Sequence, residues 1–402
     1  MEAKLEKRYG LITAIAMVIG IVIGSGVFFK AEKVLTATGG NLTLGILAWV
    51  IGGIIMISCA YTFAVMATKY QYVNGVVDYA EATLGKKYAY YVGWFMALIY
   101  YPTLTSVLAW VSARYTCVLI GFPITGGECM TIAGLYLIAS FALNSLSPIL
   151  AGKFQVSTTI IKLIPLALMA VIGTIVGVGN GMIAYNFTTV VKEVNTSNAL
   201  FTAVVATAFA YEGWIIATSI NAELKDAKKN LPLALVVGTF VIMIIYILYY
   251  IGLAGTVTNK VMMAGGESGA KLAFETVFSS VGGSLLFVFV IISCLGTLNG
   301  LMLGCTRGIY SIATRGFGPK PNVFKQVDNV TNMPTNSSIF GLLLCGIWLL
   351  YFYGANLTKP WFGFFSFDSS ELPIVTIYAL YIPIFIMMMR KEKDLSSFKR
   401  FV

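Results

Sequence analysis

Residues 20–29 read GIVIGSGVFF, with Gly24-Ser25-Gly26 in the middle of an uncharged apolar run from Leu11 to Phe29. A run of that length is long enough to be a membrane span, and a span should be most regular at its centre. A glycine inside a helix costs roughly 1 kcal/mol against alanine. Loosening the backbone at mid-depth must therefore serve something other than helix stability. A second stretch, FAYEGW at 209–214, repeats the arrangement, a glycine beside polar groups within an apolar run.

The whole chain shares the character of that run. Of its 402 residues 58% are hydrophobic and 11% charged, and the mean hydropathy is +0.84. Soluble domains carry about 25% charged residues, so the composition indicates an all-α polytopic membrane protein. A window of about 20 apolar residues predicts ten spans: 11–29, 42–68, 88–113, 128–147, 154–177, 198–220, 232–256, 281–306, 335–353 and 365–389. With the N-terminus in the cytoplasm, 19 of the 27 lysines and arginines fall in inner segments and seven in outer ones; one, Lys162, lies inside the fifth span. The positive-inside rule then puts both termini in the cytoplasm of a multi-pass protein of the cell membrane. The net charge of +10 is topological and does not indicate a nucleic-acid partner. No cleavable signal-peptide pattern precedes the first span.

Histidine is absent, which removes imidazole metal sites and histidine proton relays. The six cysteines (Cys59, Cys117, Cys129, Cys294, Cys305, Cys345) lie mostly in apolar runs without C-x-x-C spacing and read as packing residues. Cys117 and Cys129 flank one short loop, and their pairing is left open. No metal and no cofactor is expected. An enzyme would need clustered catalytic groups, and the chain has no Ser/His pair, no H-E-x-x-H and no cysteine beside a base.

Ionisable residues within the spans are few: Lys162 in TTIIKLIPLAL, Glu212 in FAYEGW, and Asp368 and Glu371 at the start of the tenth. Such groups cost at least ~2.5 kcal/mol at the bilayer centre, so they face a cavity or a partner. Asp368 and Glu371 also fit an outer interface. Glu212 fits either a ligand site or a buried structural hydrogen bond. Lys162 sits too deep to reach headgroups easily by snorkelling.

The first and sixth spans each open a set of five, and five is odd, so the two halves run in opposite directions across the membrane. Paired interruptions at corresponding places of inverted repeats point to a transporter binding site. Bare amides at a half-helix N-terminus suit an anion and carbonyls at a half-helix C-terminus suit a cation. An α-amino acid zwitterion carries one of each. Gly20-x-x-x-Gly24 is also a helix-packing motif, so the glycines alone leave both readings open. A phosphate loop is excluded, because no Lys-Ser/Thr follows and no strand precedes. The expected organisation is a cytoplasmic N-terminus (1–9), a first five-helix repeat (10–177), an extracellular connector (178–197), a second repeat (198–390) and a cytoplasmic tail (391–402).

With these residues in view, the chain resembles the amino acid–polyamine–organocation superfamily. Within it the resemblance is to the L-type amino acid transporters and their bacterial serine/threonine and alanine/serine/cysteine exchanger relatives. The match rests on IVIGSGVF, VSTTIIKLIP, FAYEGW, NAELKDAKKNLPLA and GTLNGLMLGCTRGIYSIATRGFGP. It implies the LeuT-type fold, a 5+5 inverted repeat with helices 1 and 6 unwound at mid-membrane, working by alternating access. Carried over by position, amides around Gly24, Ser25 and Gly26 would hold the substrate carboxylate. Carbonyls near Val22, Phe209 and Ala210, with Glu212 following, would receive the amino group. Phe209 would close over the ligand and Trp214 would limit side-chain size. Lys162 resembles the family's sodium-surrogate lysine between helices 1 and 8. Glu212 replaces a common glycine, which would shift preference toward small polar or cationic substrates. The connector NAELKDAKKNLP is expected to end at Pro232, where helix 7 begins. Members usually have twelve helices; this chain stops at SSFKRFV, so the usual helices 11 and 12 are expected to be absent. The resemblance implies a sodium-independent exchanger of small neutral L-amino acids; a proton-coupled amino acid or polyamine symporter is the alternative. Polyamines lack the carboxylate that the helix-1 amides would bind. A sensor that binds without transporting remains a third class. The partners implied are an L-amino acid and membrane lipid, with an accessory subunit left open.

Overall fold

The computed structural model describes residues 10–24, 26–70, 75–265 and 267–397. Among them, nine helices are long and apolar enough to cross a membrane, and a bent pair supplies a tenth span. The bent pair is α1 (Leu11–Val22) and α2 (Gly26–Ala37), inclined at 41°. The chain continues through α3 (Leu42–Lys69), the short α4 (Val76–Leu84), α5 (Lys86–Ile120), α6 (Gly127–Leu146) and α7 (Pro148–Gly179). The second half holds the short α8 (Met182–Thr188), α9 (Thr196–Ala210), α10 (Ala227–Ala254), the short α11 (Asn259–Gly265), α12 (Glu267–Ala313), α13 (Thr335–Leu357) and α14 (Leu372–Lys391). Ser279, with φ 69°, divides α12 into two helical pieces.

Both interruptions fall where the glycines are. After Val22 the backbone turns extended at Ile23 (ψ 98°) before α2 starts at Gly26. The sixth span unwinds over Tyr211–Gly213, then tightens into a 3₁₀ segment, Trp214–Glu223. Gly213 has φ +107°, a conformation that a side chain would strain. The α2 helix packs on α9, and α1 packs on the 3₁₀ segment. The two broken spans thus lie side by side with their halves in opposite order. Around them, α10 packs on α1 and α3, while α12 packs on α5, α7 and α13.

Ion pairs and capping bonds mark the two faces. On the face where α14 ends, the Lys69 ammonium pairs with Glu392 and, at 2.7 Å, with Asp394. The Tyr70 hydroxyl donates to Glu392 at 2.7 Å. Arg315 joins Asp78 and, at 3.1 Å, Glu81 on α4. The hydrogen bond from Lys69 holds the exposed Asp394 carboxyl below its ordinary value of 3.8. A depressed carboxylate contributes above its unfolded value and stops contributing only as pH falls through the lowered one, so this latch is intact at neutral pH. On the opposite face, the Gly39 carbonyl accepts from Val191 N (3.0 Å) and Lys192 N (2.9 Å). Asn259 donates to the Gly40 carbonyl at 2.7 Å. The C-terminal end of α2 is therefore stapled to residues 191–192 and to α11.

Two expectations need correction. The first span does not stop at Phe29, because α2 carries Lys30 and Lys33 to Ala37. Lys30, one of the seven basic residues counted in outer segments, is 5% exposed within α2, and Glu371 lies 3.3 Å from its ammonium. The seventh span begins at Ala227, before Pro232, because the Asp226 carbonyl accepts from Lys229 N and Asn230 N at 2.9 Å and starts the helix there. The stretch 178–197 contains the short α8. All six cysteines are buried and free, so Cys117 and Cys129 form no disulfide.

Candidate functional site

The break in α1/α2 leaves helix-end carbonyls without intrahelical donors, and three elements supply them. Lys162, on α7 and fully buried, donates to the Gly20 carbonyl at 2.6 Å and to the Ile23 carbonyl at 2.7 Å. Its ammonium also lies 3.5 Å from the Thr297 hydroxyl of α12. Gln155 donates to the same Gly20 carbonyl at 3.4 Å. The Tyr246 hydroxyl of α10 reaches the Val22 carbonyl (3.2 Å) and the Ala210 carbonyl (3.0 Å). One phenol thus ties together the last turns of α1 and α9.

Between the two breaks lies a cavity. Val22, Gly24, Gly26, Phe209 and Glu212 line it, with Gly213 and Thr297 adding polar groups and Leu104, Leu108, Leu301 and Ile374 forming apolar walls. Glu212 is 7% exposed and accepts a hydrogen bond from Tyr100 of α5. Its second carboxylate oxygen is buried without a well-formed hydrogen bond. A carboxylate held this way faces a cavity partner or pays desolvation without return. At the other end, Gly26 and the residues after it present the start of α2, where backbone amides and the helix dipole favour an anion.

The predicted residues do not all converge. Ala210 does not line the cavity; it packs against Gly26, where a Cβ would lie 2.6 Å from the Ala210 Cα. Trp214 stands a layer away in a cluster with Phe63 (5.7 Å) and Tyr381 (6.2 Å). Lys162 is behind the cavity wall rather than in it. Ser25 lies outside the described residues. Tyr100, Tyr246 and Lys30 carry no local signal in the sequence. Thr297 lies within the quoted GTLNG motif but has no pattern that marks it.

Phe209 is braced from above. The Lys30 ammonium sits 5.2 Å from the Phe209 ring centre and pairs with Glu371 at the start of α14. This bridge joins the two repeats directly over the cavity. The Glu371 side chain is 45% exposed, so the pair is worth only about 0.5–1 kcal/mol. Glu371→Gln should accordingly speed substrate release about threefold, read from efflux of labelled substrate. Unchanged efflux would remove the bridge from the gating path.

Residues 9–401 match the amino acid permease family. The chain belongs to this family. It is a transporter of the amino acid–polyamine–organocation superfamily, not an enzyme. The permease is 30% identical over 396 residues to the serine/threonine exchanger SteT of Bacillus subtilis, which covers 98% of this chain and 86% of that protein. It is 27% identical over 366 residues to the human Asc-type amino acid transporter 1, covering 85% of this chain. This chain spans 64% of that relative and 63% of the human cystine/glutamate transporter. Among solved structures, MhsT in complex with L-phenylalanine superposes with a TM-score of 0.65 at 14% identity, over 100% of this chain and 92% of that one. Mhp1, a nucleobase-cation-symport-1 family transporter, gives 0.63 at 13% identity, over 96% and 80%. The permease thus has the LeuT-type fold that the family resemblance implies.

Proposed function

We infer that this permease is a sodium-independent exchanger of small neutral L-amino acids, alternating the cavity between the two faces. Its carrying observation is the Lys162 ammonium on the Gly20 and Ile23 carbonyls, beside Thr297 of α12. A metal cation would be drawn to the same carbonyls, and a covalently fixed ammonium meets that need without sodium. The substrate carboxylate sits on the amides that open α2, and the ammonium faces Glu212 and the end of α9 at Phe209. The apolar walls suit a short side chain. The name of the Bacillus relative, a serine/threonine exchanger, agrees with a small substrate. The excess of lysine and arginine on the face of Lys69 and Arg315 supports a cytoplasmic position for both termini.

One observation favours a second reading. Glu212 is a buried carboxylate inside the cavity and hydrogen-bonded to Tyr100, which is where a titrating group would sit in a proton-coupled symporter. Uptake of labelled L-serine, L-alanine and L-leucine into sodium-free proteoliposomes separates the two. The exchanger requires unlabelled amino acid inside and ignores a pH gradient. Uptake into empty vesicles that follows an inward proton gradient would establish the symporter.

A further inference from the structure

The loop between α13 and α14, TKPWFGFFSFDSSE at 358–371, contributes nothing to the cavity, yet it holds five aromatic residues between Trp361 and Phe367. Phe364 is 97% exposed and Phe365 73%. The loop is nevertheless firmly attached to α13. Trp361 N donates to the Gly354 carbonyl at 3.0 Å. The Tyr351 hydroxyl donates to the Phe365 carbonyl (2.6 Å) and accepts from Phe367 N (3.1 Å). Phe362 stacks on the Tyr351 ring at 5.0 Å. The backbone of this segment and the Phe362 ring are therefore held to α13, with Phe364 and Phe365 exposed.

Their neighbours indicate what covers them. On α13, Ile339, Leu343, Ile347 and Leu350 are all more than half exposed, and their spacing puts them on one helix face, the lipid-facing side of a span. The aromatic strap continues that face past its end. At 23 residues, α13 is about 34 Å long, slightly more than the ~30 Å hydrocarbon core. A strap bonded to its last turn therefore lies at the level where aromatic side chains favour the headgroup boundary.

We propose that Trp361–Phe367 is a lipid-binding strap, seated among phospholipid headgroups and upper acyl chains, that braces the bridge over the cavity. The connection is short. Asp368 accepts from Ser370 N at 2.7 Å and its carbonyl from Leu372 N at 3.1 Å, which shapes the entry to α14. Glu371, the residue that pairs with Lys30, is part of that turn. Lipid contact thereby fixes the position of Glu371. The lipid contact rests on the spanning fold alone, whereas the effect on substrate rests on the transport function inferred above.

Two measurements separate these layers. A nitroxide on Phe364→Cys, in a protein whose native cysteines are all buried, is examined by power-saturation EPR in phosphatidylethanolamine/phosphatidylglycerol vesicles. Greater collision with oxygen than with a water-soluble nickel chelate is expected. Dominant collision with the chelate overturns the proposal in favour of water. Dipolar broadening between labels overturns it in favour of a second copy of the chain. Phe364→Ser with Phe365→Ser should raise the half-saturating substrate concentration about threefold, as loss of the half-exposed bridge would, with maximal exchange unchanged. The same pair of substitutions in a Glu371→Gln background should add nothing further, because coupled sites are not additive. Full additivity would overturn the brace, even where EPR finds lipid.

Discussion

Lys162→Ala should cut exchange at least about 30-fold in sodium-free vesicles. Removing the ammonium takes from the Gly20 and Ile23 carbonyls their shortest hydrogen bonds, leaving Gln155 at 3.4 Å and Thr297 at 3.5 Å. A hydrogen bond from a charged group contributes about 1.5–3 kcal/mol, so losing the two costs about 3–6 kcal/mol, offset in part by the long contacts that remain, and 2 kcal/mol is already close to 30-fold. Lys162→Met separates charge from packing, because it keeps a flexible apolar stem of similar length. If Lys162→Met exchanges normally without sodium, the ammonium has no role in holding the broken span. If sodium restores Lys162→Ala, the carbonyls form a cation seat that the lysine normally fills.

The second large effect is expected at Gly26. Its missing side chain is what allows α2 to touch α9, since a Cβ there would meet the Ala210 Cα at 2.6 Å and its Cβ at 3.1 Å. Backbone cannot swing aside as a side chain can, so Gly26→Ala must push the two half-helices apart. Overpacking of this kind costs about 1–3 kcal/mol, or about 5- to 150-fold in affinity when the displaced elements form the site. Gly24→Ala should be milder, because its Cβ meets the Thr297 hydroxyl at 2.6 Å, a group that rotates. Gly134→Ala on α6, with nothing within 4 Å, is the control and should bind normally. Substrate binding to purified protein, measured by calorimetry, ranks the three. Normal affinity for Gly26→Ala would remove the amides at the start of α2 from the site.

The parts of this molecule that were legible in the sequence are those where a local rule is broken. A lysine in an apolar run, a glutamate beside a glycine and two glycines around a serine each stand out against a lipid-compatible background. Those anomalies locate Lys162, Glu212 and both interruptions, and an odd number of spans per half gives the inversion. The contacts that organise the site were not legible. Tyr246 and Tyr100 are ordinary tyrosines in apolar helices, and only three-dimensional packing brings their hydroxyls to Val22, Ala210 and Glu212. Lys30 looked like a loop residue because its partner, Glu371, is 341 positions away. Trp214 lies off the cavity for the opposite reason. It follows the break in sequence, but the 3₁₀ segment turns its ring toward Phe63 and Tyr381 and away from the cavity.

The attachment of Lys162 to the backbone has a thermodynamic consequence. A dissolved cation that binds and leaves contributes its own concentration gradient to each transport cycle. A cation on a covalent tether has no concentration on either side and no chemical potential difference to spend. It can stabilise every conformation that keeps its carbonyl partners, but it cannot make one direction downhill. In the exchange proposed above, such a carrier would equalise ratios: one amino acid leaves as another enters, and the amino acid pools on the two sides, with no sodium gradient, set the direction of flow.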